Sequence, residues 1–269
     1  MGDSDKVFAG SIPEFYDRYL VPLIFEPYAA DLARRLLEAK PGRVLEVAAG
    51  TGVVTRAMAA RLPPNVSITA TDLNDAMINH ARTTLADPRV TWKTADAQNL
   101  PFDDASFDAV VCQFGAMFFP DKPGAYAQAR RVLKPGGRFL FSVWGKITDN
   151  EFADVVTQTV GEMFPNDPPL FLARTPHGHH DEARLRADLV AAGFTDIKIE
   201  TRDERSKAPS PREPAVAYCE GTPLRNEIEA RDKNRLQEAT ARAAEALARR
   251  FGNGPIDGLI RAIVVTAVK

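Results

Sequence analysis

The 269-residue sequence predicts an α/β protein built on a doubly wound, largely parallel sheet. Strand-like and helix-like stretches alternate from residue 43 to residue 144. The first such pair is joined by a turn of small residues, Ala48-Ala49-Gly50-Thr51-Gly52. Phe107–Gln113 is almost wholly apolar, as a strand buried on both faces requires.

Each element has its own signal. Arg43–Val47 is a short apolar strand carrying Glu46, and the amphipathic stretch Val53–Arg61 after it is a helix. Ser67–Asp72 alternates and ends on an acid, which makes it a second strand. Residues 74–85 form a helix that Asn74 or Asp75 can cap. Val90–Thr94 and Phe107–Gln113 are the third and fourth strands. A helix at 124–133 and the turn Lys134-Pro135-Gly136-Gly137 lead to a fifth strand at 138–144. The pattern then loosens into the helix Glu151–Met163 and a loop at 164–180 containing prolines and histidines. A helix at 181–192 is closed by Gly193, and a strand follows at 197–205. Residues 208–214 are proline-rich and expected to be exposed, and 223–251 are charged and helical. The β-branched Ile256–Val268 ends the chain as a strand, so the helical stretch before it is an insertion between the last two strands.

The composition narrows the function. The chain is 45% hydrophobic and 26% charged, with a formal net charge of -2, which fits a globular protein and gives no basic excess for nucleic acid. The two cysteines, Cys112 and Cys219, are far apart and make no ligand motif, and Cys112 falls in an apolar strand. No signal-peptide pattern and no apolar run long enough to span a bilayer is visible, so a cytoplasmic setting is expected.

In parallel sheets ligands bind beyond the carboxyl ends of the strands, near the switch in strand order. Glu46, Asp72, Asp96 and Gln113 each lie at or just past such an end and should converge on one crevice. The glycines of the turn allow close backbone approach, and the helix behind them offers unpaired N–H groups, so a nucleotide-like cofactor is expected. A dinucleotide fingerprint would read G-x-G-x-x-G, but Val54-Thr55 supply no third glycine. Asp72 suits the two hydroxyls of a ribose, a role that fits NAD equally well; read alone it is also a helix cap or a loop acid.

The array resembles the class I S-adenosylmethionine-dependent methyltransferases, of the UbiE-like, type-11 group. Val44-Leu45-Glu46-Val47-Ala48-Ala49-Gly50-Thr51-Gly52 resembles their first motif, with Ala48 in place of the first glycine of E-x-G-x-G-x-G. Ala70-Thr71-Asp72-Leu73-Asn74 resembles the ribose-binding acid motif. Residues 94–102 with Ser106-Phe107-Asp108, and Arg131-Val132-Leu133-Lys134-Pro135-Gly136-Gly137, resemble the later motifs in order. The resemblance covers residues 40–144. It implies a Rossmann-like sheet of seven strands, the last antiparallel, and S-adenosyl-L-methionine as cofactor with S-adenosyl-L-homocysteine as product. It also implies roles. The backbone of Ala48, Gly50 and Gly52 holds the methionine portion, and Glu46 supports the loop or reaches the amino group. Asp72 takes the ribose, and Leu73 and Met77 flank the adenine. Asp96 accepts from the adenine amino group, and Ala97 and Gln98 adjoin it. Gln113 and Phe114 adjoin the sulfonium and the substrate.

The remaining candidates surround that core. Tyr16 and Tyr19 lie in an N-terminal segment expected to cover the methionine end, with Arg18 reaching its carboxylate; helical spacing also fits a packing helix. His177, His179, His180 and Tyr16 are the candidate catalytic residues, the histidines as general bases, although an exposed polar loop explains the histidines as well. No ligand set at a known metal spacing is present. The segment after the fourth strand lacks the Asn/Asp-Pro-Pro-aromatic signature of nucleobase-amine methylation. A small, fairly apolar acceptor is therefore expected, with Met117, Phe118 and Trp144, and Tyr218 and Arg225 from the insertion, lining its pocket. The expected organisation is an N-terminal helical lid at 1–38, a core at 39–207 and 252–269, and a lid insertion at 208–251. An NAD(P)-dependent oxidoreductase and a non-catalytic methyltransferase-like binding protein are the alternatives.

Overall fold

The computed structural model describes residues 12–269. Seven strands, β1 (Arg43–Val47), β2 (Ser67–Asp72), β3 (Val90–Thr94), β4 (Phe107–Gln113), β5 (Leu133–Trp144), β6 (Asp196–Ala208) and β7 (Ile256–Val268), form one sheet. Its order is β3-β2-β1-β4-β5-β7-β6. Strands β1 to β5 run parallel to one another. β7 is antiparallel to β5: Gly136 and Gly137 near the start of β5 exchange hydrogen bonds with Lys269, just past the end of β7. The helices are α1 (Ile12–Phe15), α2 (Glu26–Ala39), α3 (Val53–Arg61), α4 (Asp75–Thr84), α5 (Lys122–Val132), α6 (Glu151–Met163), α7 (Phe171–Arg174), α8 (Glu182–Ala191), α9 (Arg212–Glu220), α10 (Leu224–Arg231) and α11 (Leu236–Phe251). A π-helix, Tyr16–Phe25, joins α1 to α2.

The chain divides into two units. The larger holds residues 26–143, 179–202 and 263–269. Its core packs α2 and α3 on the sheet through Leu32, Leu36, Val54, Met58, Ile68 and Val111, all buried. Tyr126, Phe139, Phe141 and Phe194 form an aromatic cluster in the same unit, with Phe139 and Phe141 stacked at 4.8 Å. The other unit holds 144–178, 203–262 and the described residues up to Phe25. There Phe152 of α6 meets Phe251 of α11 edge to face at 5.0 Å, and Ser206 Oγ donates to the Leu23 carbonyl at 2.9 Å. Among the described residues no helix is long and apolar enough to cross a membrane.

Several boundaries differ from the sequence reading for local reasons. α5 starts at Lys122 and not at Gly124, because the Asp121 carboxylate caps it by accepting from the Gly124 N–H at 3.0 Å. Asn74 occupies the cap position of α4 but makes no side-chain cap. The Lys134–Gly137 turn is drawn into β5 by Lys269, and the β4–β5 register slips between Phe107 and Ala109. Residues 208–214 are not an exposed loop: α9 begins at Arg212 and buries Pro214, whose missing N–H is harmless in a first helical turn. The loop at 164–180 contains the short α7. The first 11 residues of the expected N-terminal lid lie outside the described residues.

Candidate cofactor and active site

The parallel register brings the predicted acids to one edge. Val47 pairs with Thr71, Asp72 with Thr94, and Glu46 with Val111. Glu46, Asp72 and Gln113 thus lie at the carboxyl ends of β1, β2 and β4, and Asp96 just past that of β3. The switch in strand order lies between β1 and β4, where open α/β sheets bind ligands.

The turn after β1 is built from left-handed residues: Ala48 at φ +56°, Gly50 at +57° and Gly52 at +84°. Its Ala49 N–H donates to the Thr71 carbonyl at 2.9 Å, and its Gly50 N–H to Asp72 Oδ2 at 2.8 Å. A Cβ on Gly52 would come within 2.8 Å of the Trp92 ring, whereas one on Gly50 would meet nothing within 4 Å. The turn is therefore closed on its inner side and open at Gly50.

Two buried carboxyls flank it. Glu46 is 1% exposed and accepts from Thr55 Oγ1 at 2.5 Å. Burial, with a smaller contribution from nearby Asp72, raises its pKa to about 8. Asp72 is also pushed up by burial, opposed by the N–H groups of Asn74 and Gly50. Its Oδ1 takes the Asn74 N–H at 2.8 Å, so both oxygens hold backbone donors and the carboxylate keeps acceptor capacity for a diol.

These residues fit an adenosyl cofactor. Besides the open side of Gly50, the turn carries Thr51 Oγ1, a buried hydroxyl with no hydrogen-bond partner, which a polar ligand group would satisfy. Leu73 exposes its apolar side chain (51%) directly after Asp72, whereas Met77 is buried in α4. Asp96 is exposed and accepts from the Gln98 N–H at 2.9 Å, and Ala97 is buried between them. Gln98 Oε1 in turn receives the Asp121 N–H at 3.0 Å. Gln113 and Phe114 are buried, with Phe114 at φ +50° and edge-on to Tyr28 at 5.3 Å. Met117 is buried and Phe118 half-buried in the following 3₁₀ turn.

The other candidates do not form one group. The three histidines are split between the units. His177 is buried, 6.0 Å from the Trp144 ring, with Nδ1 at 2.9 Å from the Gly145 carbonyl. His179 is buried in the larger unit with Nε2 at 3.3 Å from the Tyr126 hydroxyl, and burial, then Lys122, lowers its pKa to about 4. His180 is half-buried. The expectation of an exposed histidine loop is thus replaced by two core histidines. Tyr16 stacks on Phe25 at 5.1 Å. Arg18 lies over the Tyr19 ring at 5.1 Å. Tyr218 is buried and its hydroxyl pushed up by desolvation, and Arg225 binds Glu229 one turn along its own helix at 3.0 Å. Among the described residues no group of three His, Cys, Asp or Glu is placed to hold a metal ion.

Sequence reasoning missed Thr55 and Trp92. Thr55 lies in the first turn of α3, where a helix rising from the turn passes back over the end of β1; a hydroxyl at that step beside a buried acid was a readable signal. Trp92 lies two strands from the turn, and nothing in its local sequence announces the contact with Gly52.

Residues 44–137 match a family model described as a methyltransferase domain. The ubiquinone/menaquinone biosynthesis C-methyltransferase UbiE of Burkholderia mallei is 33% identical over 167 residues, covering 58% of this chain and 69% of that protein. The YcgJ protein of Bacillus subtilis shares the fold with a TM-score of 0.57 at 19% identity, covering 90% of this chain and 98% of that one. Phosphoethanolamine N-methyltransferase 2 of Haemonchus contortus, solved with S-adenosyl-L-methionine, aligns with a TM-score of 0.54 at 18% identity, covering 97% and 60%. The two structures speak for the fold, and the identity to UbiE together with the motif-bearing strand ends speaks for the family. This chain belongs to the class I S-adenosylmethionine-dependent methyltransferases.

Proposed function

We propose that this methyltransferase transfers its methyl group to a small, fairly apolar acceptor by in-line displacement. The observation that carries the reading is the segment at 113–120: it follows the strand end at the switch point, contains no charged residue, and buries Phe114 and Met117. The cofactor supplies a methyl activated by a positive sulfur. The protein's part is to bind, orient and exclude water. Asp72 holds the ribose diol, Asp96 and Ala97 the adenine edge, and the Ala48–Gly52 backbone the methionine portion, with Glu46 behind it. Gln113 and Phe114 border the reacting end. A general base is needed only for an acceptor that arrives protonated.

The relative's name, a ubiquinone/menaquinone C-methyltransferase, supports a quinone-type ring carbon as the first acceptor to test. Nucleic acid is a poor acceptor for a chain of net charge -2 with no basic excess, and a cytoplasmic setting goes with the same reading. The test is transfer of labelled methyl to a panel of demethylated quinones, phenols, polar amines and oligonucleotides. Labelling of a quinone or phenol is expected. Labelling confined to amines or oligonucleotides overturns the proposal.

A further inference from the structure

Ala48 and Gly115 face each other across the switch in strand order. Ala48 stands at φ +56°, where glycine is favoured and a Cβ costs energy. Gly115 stands at φ -104° and ψ -34°, a conformation open to every L-residue. Space and not backbone conformation requires the glycine there. A Cβ built on Gly115 overlaps the Ala48 methyl and comes within 2.9 Å of Cys112 Sγ. That sulfur is itself held by the backbone N–H groups of Gly115 and Ala116, and burial keeps the thiol protonated. The turn after β1 and the segment after β4 therefore approach each other where the Ala48 methyl faces Gly115, on the two strands that flank the switch in strand order.

We propose that Ala48 and Gly115 are a size-matched positioning pair. The Ala48 methyl fills the space opposite Gly115 and sets the distance of the Ala48–Gly52 turn from the β4 segment, and so the place where the turn's backbone receives the methionine portion of the cofactor. Ala48 stands where the common motif has glycine, and the facing Gly115 leaves the space that its methyl occupies. The inference rests on the cofactor-binding role of the turn.

The test is calorimetric titration with S-adenosyl-L-homocysteine of the native protein, A48G, G115A and A48G/G115A, with a thermal melt of each. Overpacking in G115A should raise Kd by roughly tenfold or more. A48G, which removes the methyl that sets the turn's distance, should raise it by roughly threefold, and A48G/G115A should bind more tightly than G115A and come within about fivefold of native, because only the Cys112 contact remains. Equal loss of affinity on adding G115A to the native protein and to the A48G variant overturns the pair. Native protein that binds no S-adenosyl-L-homocysteine overturns the role of the turn itself, a separate outcome. A48G introduces no overlap and gives a second readout should G115A fail to fold: hydrogen exchange at the Gly50 and Gly52 amides should quicken by about threefold or more in the cofactor-free protein. Unchanged exchange there also overturns the proposal.

Discussion

The backbone N–H of Gly50 donates to Oδ2 of Asp72 at 2.8 Å, so the acid at the end of β2 fastens the turn that follows β1. The other oxygen of the same carboxylate takes the N–H of Asn74 at 2.8 Å. Asp72 is 7% exposed, and its charge is tolerated there because backbone donors face it. One side chain thus shapes the cradle and, in the proposed role, also supplies its ribose acceptors.

Replacing this carboxylate should affect both tasks. Asp72→Ala leaves the Gly50 and Asn74 N–H groups without their acceptor and removes the charge-assisted bonds proposed to hold the diol. The Kd for S-adenosyl-L-homocysteine is expected to rise roughly tenfold or more, with a lower melting temperature. Calorimetry alongside thermal melts checks this; an unchanged Kd would show that Asp72 does not hold the ribose.

The two glycines of the turn should fail in different ways. Gly50→Ala puts a methyl into open space at φ +57°, so stability should fall by only about 1 kcal/mol while cofactor affinity falls with the loss of the open side. Gly52→Ala drives a methyl against the Trp92 ring at φ +84°, so its main effect should be a loss of about 2–4 kcal/mol in urea unfolding. If Gly52→Ala unfolds like native protein, Trp92 is not packed against the turn.

The sequence shows the strands and their ends well because apolar runs and terminal acids are local signals. β1, β2, β3, β4 and β7 have the limits read from the residues alone. What escaped depends on partners distant in the chain. His179 looked like a loop base, but Tyr126, 53 residues away, gives it a core environment. Pro214 looked like an exposed breaker, yet the first turn of α9 accepts it. Ala48 looked like a tolerable exception to a glycine motif; only the fold reveals the facing Gly115. Asn74 stands where a cap belongs, but its Nδ2 turns back to Asp72 at 3.5 Å.

Glu46 should give the protein an alkaline weakness. Its buried carboxyl keeps a proton up to about pH 8, whereas the ordinary value is 4.5. Across that window the folded state binds more protons than the unfolded state, so stability falls as pH rises. Glu46→Gln can still accept from Thr55 but does not titrate. Urea unfolding at pH 5 and pH 8 should show a smaller decline for the variant than for native protein. Parallel declines would mean that another group is responsible.

His179 should act in the opposite direction. Burial among Tyr126, Lys122, Asp188, Arg184 and His180 lowers it to about 4 from 6.5, with the positive neighbours adding to desolvation and only Asp188 opposing. Between those values the unfolded chain takes up a proton that the folded protein refuses. Stability is therefore full above pH 6.5 and falls as the solution is acidified toward pH 4. His179→Gln removes the titration and keeps a polar side chain beside the Tyr126 hydroxyl. Relative to the variant, native protein should lose stability between pH 6.5 and pH 4 in urea melts. Because Glu46 and His179 slope in opposite directions, their contributions offset between pH 4.5 and pH 6.5, so Glu46→Gln alone should unmask the acid decline and His179→Gln alone should extend the alkaline one down to pH 4.5. A Glu46→Gln/His179→Gln variant that declines toward pH 4 as steeply as Glu46→Gln alone would show that His179 is not buried as its contact with Tyr126 requires.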